Sequence, residues 1–131
     1  ALHDGQDLRA AERHLRQAFQ MSCEHLGHDA VLSLCCACNY GRLLMHQGKG
    51  GEALPLLRRA MRGLAVQAGP ANKLTLKARC LYAELHIQLE QLSQAREALG
   101  DAAQVAAETL GGTSERALIA SVLESRLDQL E

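Results

Sequence analysis

The sequence predicts an all-α fold, a stack of antiparallel helix pairs, and three observations carry that expectation. Ala and Leu dominate an apolar fraction of 47%, while aromatic residues make up only 2% of the chain: Phe19, Tyr40 and Tyr82, with no tryptophan. That composition suits close-packed helices better than sheets, which draw on aromatic and β-branched side chains. The chain also repeats itself at a 42-residue interval, with 20 identities in the 89 pairs compared, where this composition gives about 8 by chance. Finally, glycines and prolines fall between apolar-periodic runs, as they do in a helix-turn-helix repeat.

The identities sit at corresponding places. Leu15-Arg16-Gln17-Ala18 recurs as Leu57-Arg58-Arg59-Ala60 and as Leu99-Gly100-Asp101-Ala102. Ala11, Ala53 and Ala95 keep the interval, as do Gly27, Gly69 and Gly111; Cys38/Cys80 and Tyr40/Tyr82 complete the register. Residues 1–27 form a partial repeat, mainly its second helix. The repeat over 28–69 places a first helix at about Ala30 to His46, a turn at Gln47-Gly48-Lys49-Gly50-Gly51, and a second helix to about Ala68. Pro55 lies near that helix's start, where a missing N–H costs less than it does mid-helix. The repeat over 70–111 places helices at about Asn72 to Glu90 and, continuously, Leu92 to Leu110. A final first-type helix over 112–131 starts near Ser114, with Thr113-Ser114 as its cap. Small residues at Gly41, Ala53 and Ala60, and at Ala83, Ala95 and Ala102, mark where paired helices approach closely.

At 131 residues the chain fits one domain. Fourteen Lys and Arg against 15 Asp and Glu leave a formal charge of -1, which argues against a nucleic-acid partner. No apolar run is long enough for a membrane span, and no signal segment opens the chain. Five cysteines, three of them at Cys35, Cys36 and Cys38, are an odd and clustered set rather than a disulfide framework. They point to a reducing intracellular compartment such as the cytoplasm. Because the chain opens with Ala1 and inside a repeat, a fragment of a longer chain is expected.

The segment Leu44-Met45-His46-Gln47-Gly48-Lys49-Gly50-Gly51-Glu52-Ala53-Leu54-Pro55-Leu56-Leu57-Arg58-Arg59-Ala60 resembles the tetratricopeptide repeat in its 42-residue form, similar to kinesin light chain repeats. The family's small positions are met by Gly41, Ala53 and Ala60, then by Ala83, Ala95 and Ala102, and in the first repeat by Ala11 and Ala18. Departures are Leu44, His86 and Asp128 in place of a tyrosine, Gly50 in place of an aromatic residue, and Glu124 at an apolar position. The resemblance implies a right-handed superhelical solenoid whose first-type helices line a concave groove for protein partners.

Carried over residue by residue, the groove comprises Cys35, Cys38, Asn39, Arg42, Met45 and His46, then Lys77, Cys80, Glu84, Ile87 and Gln88, then Ile119, Val122 and Arg126. In the chaperone-binding members of the family a Lys/Asn/Arg clamp grips a terminal carboxylate. Asn39 and Lys77 match two clamp positions, and Leu81 stands where the clamp arginine belongs. Kinesin light chain grooves instead use basic residues for acidic, tryptophan-containing peptides; Arg42, Lys77 and Arg126 match that pattern, while Glu84 opposes it.

The competing chemistries are weaker. Cys35 and Cys38 share a helix face, with Cys80 equivalent to Cys38, yet zinc ligands usually come in pairs on turns, and a cysteine between helices is ordinarily a small buried hydrophobe. No catalytic or phosphate-cradling motif is present, so no enzyme, cofactor or small-molecule substrate is expected. Arg58, Arg59 and Arg62 are expected on a convex, solvated face rather than at an anion-docking site. The expectation is a non-catalytic scaffold in a multiprotein assembly, a cytoskeletal or ciliary complex among the settings open to it, with a groove-type peptide adaptor or a regulatory segment of a larger enzyme as alternatives.

Overall fold

The computed structural model describes residues 2–131, with side chains from Asp7 onward. Seven helices make up the described residues, and no strand occurs among them: α1 Leu2–Leu26, α2 Val31–His46, α3 Gly50–Gln67, α4 Lys73–Gln88, α5 Leu92–Leu99, α6 Ala102–Leu110 and α7 Glu115–Leu130. The helices α1 to α4 each pack on their successor, and α6 packs on α7. The central helix is α4, which also touches α2, α6 and α7.

That central position explains the core. On one side Ala78, Leu81 and Leu85 of α4 join Leu34, Leu44 and Met45 of α2 and Leu57 and Leu64 of α3. On the other, Leu76, Cys80, Ala83 and Ile87 join Leu99, Ala102 and Ala106 with Leu123 and Leu127 of α7. A helix flanked on both sides must be apolar nearly all round, and nine of the α4 residues are buried.

The 42-residue interval recurs as backbone geometry. The turn after α2 places Gly48 at φ 78°, and the turn after α4 places Glu90 at φ 59°. Lys49 N–H donates to Leu44 O at 2.8 Å, and Gln91 N–H to His86 O at the same distance. Such six-to-one bonds satisfy carbonyls that a helix end leaves open. At the other junctions Gly27, Gly69 and Gly111 all have positive φ, 88°, 99° and 98°. The Ser33 hydroxyl donates to Gly27 O at 2.6 Å, and Thr75, 42 residues on, donates to Gly69 O at 2.7 Å. Asn72 and Ser114 cap α4 and α7 by accepting from Leu74 N–H and Ala117 N–H. The small positions are closed as well: Ala53, Ala60, Ala95 and Ala102 have no exposed surface, and a Cβ on Gly41 would lie 2.9 Å from Leu57 Cγ. Gly50, where the resemblance calls for an aromatic residue, packs so closely that its Cβ would lie 3.2 Å from Leu89 Cδ2.

One expectation needs correction. The stretch from Leu92 to Leu110 is not one helix: it breaks at Gly100-Asp101, with Gly100 at φ 49° and ψ -124°. The Arg79 side chain enters the gap, donating through Nε to Ala98 O at 3.3 Å and through Nη2 to Leu99 O at 2.7 Å and Asp101 Oδ1 at 3.1 Å. A Cβ on Gly100 would sit 2.8 Å from Arg79 Nη2, so the glycine leaves the space that the guanidinium fills. At the chain's start, α1 is a single helix from Leu2 to Leu26, continuing through the positions that lie 42 residues before the Gln47–Lys49 turn.

Candidate functional site

The helices α2, α4 and α7 lie side by side, α4 touching both neighbours, and the surface they share carries most of the candidate residues. Three depressions run along it. A narrow one of about 100 Å³ is lined by Cys35, Cys38, Asn39 and Lys77 with Leu64 and Leu74. A second, of about 370 Å³, brings Arg42, His46, Lys77, Cys80 and Glu84 against Glu115, Arg116 and Ile119 of the last helix. A third, of about 560 Å³, includes Arg42, Lys73, Lys77 and Arg116. Lys77 borders all three.

Helical periodicity accounts for this gathering. Arg42 and His46 are four residues apart, as are Cys38 and Arg42, so they rise along one face of α2; Lys77, Cys80 and Glu84 do the same on α4. Between the two helices Lys77 Nζ donates to Asn39 Oδ1 at 3.3 Å, so the two residues matching clamp positions hold each other. Leu81 is buried at the first core.

Met45, Ile87, Gln88, Val122 and Arg126 line none of the three depressions. Met45, 2% exposed, belongs to the first core, and Ile87 belongs to the second core region. Gln88 and Arg126 are exposed. Val122 is exposed on α7, and Ile119 is half-buried there. Cys38 and Cys80, at 3% and 2% exposure, offer the groove little more than their edges.

Sequence reasoning missed Lys73, Glu115 and Arg116. Lys73 and Glu115 hold equivalent positions in the first turn of successive first-type helices, and Arg116 follows at the position occupied by Leu74 one repeat earlier. Their signal is a charge at the helix entrance, which reads as ordinary solvation until α7 is seen beside α4. With them the surface carries Arg42, Lys73, Lys77 and Arg116 against Glu84 and Glu115, and Arg116 pairs with its neighbour Glu115 at 3.6 Å.

The thiols of Cys35, Cys38 and Cys80 are poorly suited to nucleophilic chemistry. Burial pushes the Cys80 thiol up to about 11, and burial likewise raises Cys38 and Cys35, partly offset by the nearby Lys77 ammonium. A thiol held protonated at neutral pH is neither a strong nucleophile nor a ready metal ligand. Among the described residues no group of three or more His, Cys, Asp or Glu side chains converges as a metal site, and no helix is long and apolar enough to cross a membrane. No family model, curated protein or solved structure matches this chain.

Proposed function

We propose that this chain is a non-catalytic interaction scaffold of the tetratricopeptide type, a segment of a larger multiprotein assembly. In this reading α2 with α3, and α4 with α5 and α6, are successive antiparallel pairs of a right-handed superhelix, and α7 begins another. The observation that supports it is the recurrence of the same junction 42 residues on: Ser33 to Gly27 O and Thr75 to Gly69 O, each beside a positive-φ glycine. Repeats of this kind bury their cores between neighbours and leave extended surfaces, which suit macromolecular partners better than small substrates.

Lateral packing within an assembly is favoured over tight capture of a linear motif. The α2–α4–α7 surface has no aromatic side chain among its lining residues, and aromatic anchors usually carry interface energy. A groove adaptor is the second reading, favoured by the four cations on that surface. Affinity capture from native extract, with the wild-type chain and with Arg42→Glu plus Lys77→Glu, separates the two. The scaffold reading expects the same partners with both proteins, their folds compared by circular dichroism. Loss of a partner set from the variant alone would establish the groove as the binding surface and replace it.

A further inference from the structure

We propose that the trough between α3 and α5 is a docking site for an acidic linear segment of a partner protein, held by Arg58 and Arg62. The helix α3 packs on α4 and α4 on α5, with no comparable packing between α3 and α5. The gap is an open cleft of about 660 Å³, the most voluminous of those described, with α4 as its floor. Arg58, Arg62 and Arg79 line it against Glu97, so two of the three arginines expected on a solvated face, Arg58 and Arg62, border a cavity.

The three arginines differ in what they have left to offer. Arg79 is engaged by Ala98 O, Leu99 O and Asp101. Arg58 commits only Nε, to the Tyr82 hydroxyl at 3.3 Å, leaving both terminal nitrogens without a partner among the described residues. Arg62 has no hydrogen-bond or ion-pair partner among them. Arg58 is nevertheless held in place: Tyr82 packs edge-on against His86 with ring centroids 4.5 Å apart, and His86 Nδ1 lies 2.8 Å from Gln91 Oε1. That chain of contacts pre-orients the guanidinium and lowers the entropy lost when an anion arrives.

Spacing favours a peptide as the occupant. Residues four apart on a helix are about 5–6 Å apart at Cβ, and alternate side chains of an extended strand are about 6.6 Å apart. A Glu-X-Glu stretch lying along α3 therefore sets one carboxylate on each guanidinium in charge-assisted, fork-like pairs. A chain of net charge -1 with two such arginines makes a weak nucleic-acid surface. This site lies apart from the α2–α4–α7 surface and stands or falls independently of it.

Fluorescence anisotropy with the full 131-residue chain tests the proposal, using a labelled Gly-Glu-Leu-Glu-Leu-Glu-Gly peptide and its lysine counterpart as probes. The expected result is saturable binding of the glutamate peptide alone, weakened by salt. Both Arg62→Glu and Arg58→Gln should weaken it at least tenfold, and Arg42→Gln with Lys77→Gln should leave it unchanged. Arg62 is exposed, so its variant tests binding without disturbing the core. Absence of saturable binding, or equal binding by Arg62→Glu, would overturn the proposal. So would loss of binding in the Arg42/Lys77 variant, tighter binding of a labelled single-stranded RNA, or full competition by equimolar inorganic phosphate.

Discussion

The second helix of one repeat runs unbroken as α3, whereas its counterpart one repeat later is cut into α5 and α6. The break coincides with an exchange at the facing position of the preceding helix. Ala37 of α2, with no exposed surface, leaves α3 free to close on it. Its equivalent 42 residues on is Arg79, whose guanidinium needs acceptors and takes the carbonyls of Ala98 and Leu99. Gly100 and Asp101 stand where Arg58 and Arg59 stand in the earlier repeat; the glycine clears space and the aspartate adds a charge partner. The difference teaches that the repeat tolerates a polar intruder if the helix it meets gives up two peptide units.

The largest effect that probes this contrast is truncation of the equivalent core leucines. Leu57→Ala should cost about 2–5 kcal/mol, the range for a buried leucine, since Leu57 is fully buried. Leu99→Ala should cost less within that range, because the adjacent break lets the site collapse; urea denaturation of both variants measures the difference. Equal losses would show that the break gives no added compliance. Arg79→Ala comes next, with an expected loss of about 1–3 kcal/mol from stranding part-buried carbonyls. Grafting that arginine into the intact repeat as Ala37→Arg should be worse than Arg79→Ala, since α3 has no gap to receive it.

Smaller effects sharpen the comparison at the turns. Glu90 holds at φ 59° the place that Gly48 holds at φ 78°. Glu90→Gly should therefore be neutral or stabilising by up to about 1 kcal/mol and Gly48→Ala destabilising by about as much, from left-handed backbone strain, read from thermal midpoints. The titration of Cys80 adds a pH window. Its folded-state value lies above the ordinary thiol value of 9.0, at about 11. The contribution is therefore fully present below pH 9 and lost as pH rises toward 11, while the unfolded thiol ionises. Cys80→Ala should flatten that alkaline decline, and Cys38 and Cys80 should react with maleimide far more slowly than the half-buried Cys23 and Cys36. Smallest is Arg96→Ala, which removes exposed ion pairs to Asp128 at 2.5 Å and Glu131 at 2.6 Å; any loss should vanish at high salt, because surface pairs are screened.

Much of this was legible in the sequence because repetition writes tertiary contacts into intervals. The junction glycines, the alanines at 53, 60, 95 and 102, and the helix bounds near His46 and Gln67 all follow from the 42-residue register. What was not legible depends on partners distant in the chain. Gly100 reads as a tolerated helix glycine until Arg79, twenty-one positions earlier, is seen to need the space. Met45 reads as a groove residue from the repeat pattern, yet it lies in the core shared by α2, α3 and α4. Lys73 and Arg116 become part of the candidate surface only because α7 lies beside α4, and the trough above Tyr82 exists only because α3 and α5 stand apart.

The most direct measurement is the backbone NMR chemical shifts of wild type and of Arg79→Ala with Gly100→Arg, which returns both positions to the residues of the preceding repeat. If the two repeats are one design and the Arg79–Gly100 contact divides the helix, carbon shifts from Leu92 to Leu110 should become continuously helical across residues 100 and 101. A break persisting there in a folded double variant would contradict that account and place the cause outside the Arg79–Gly100 contact.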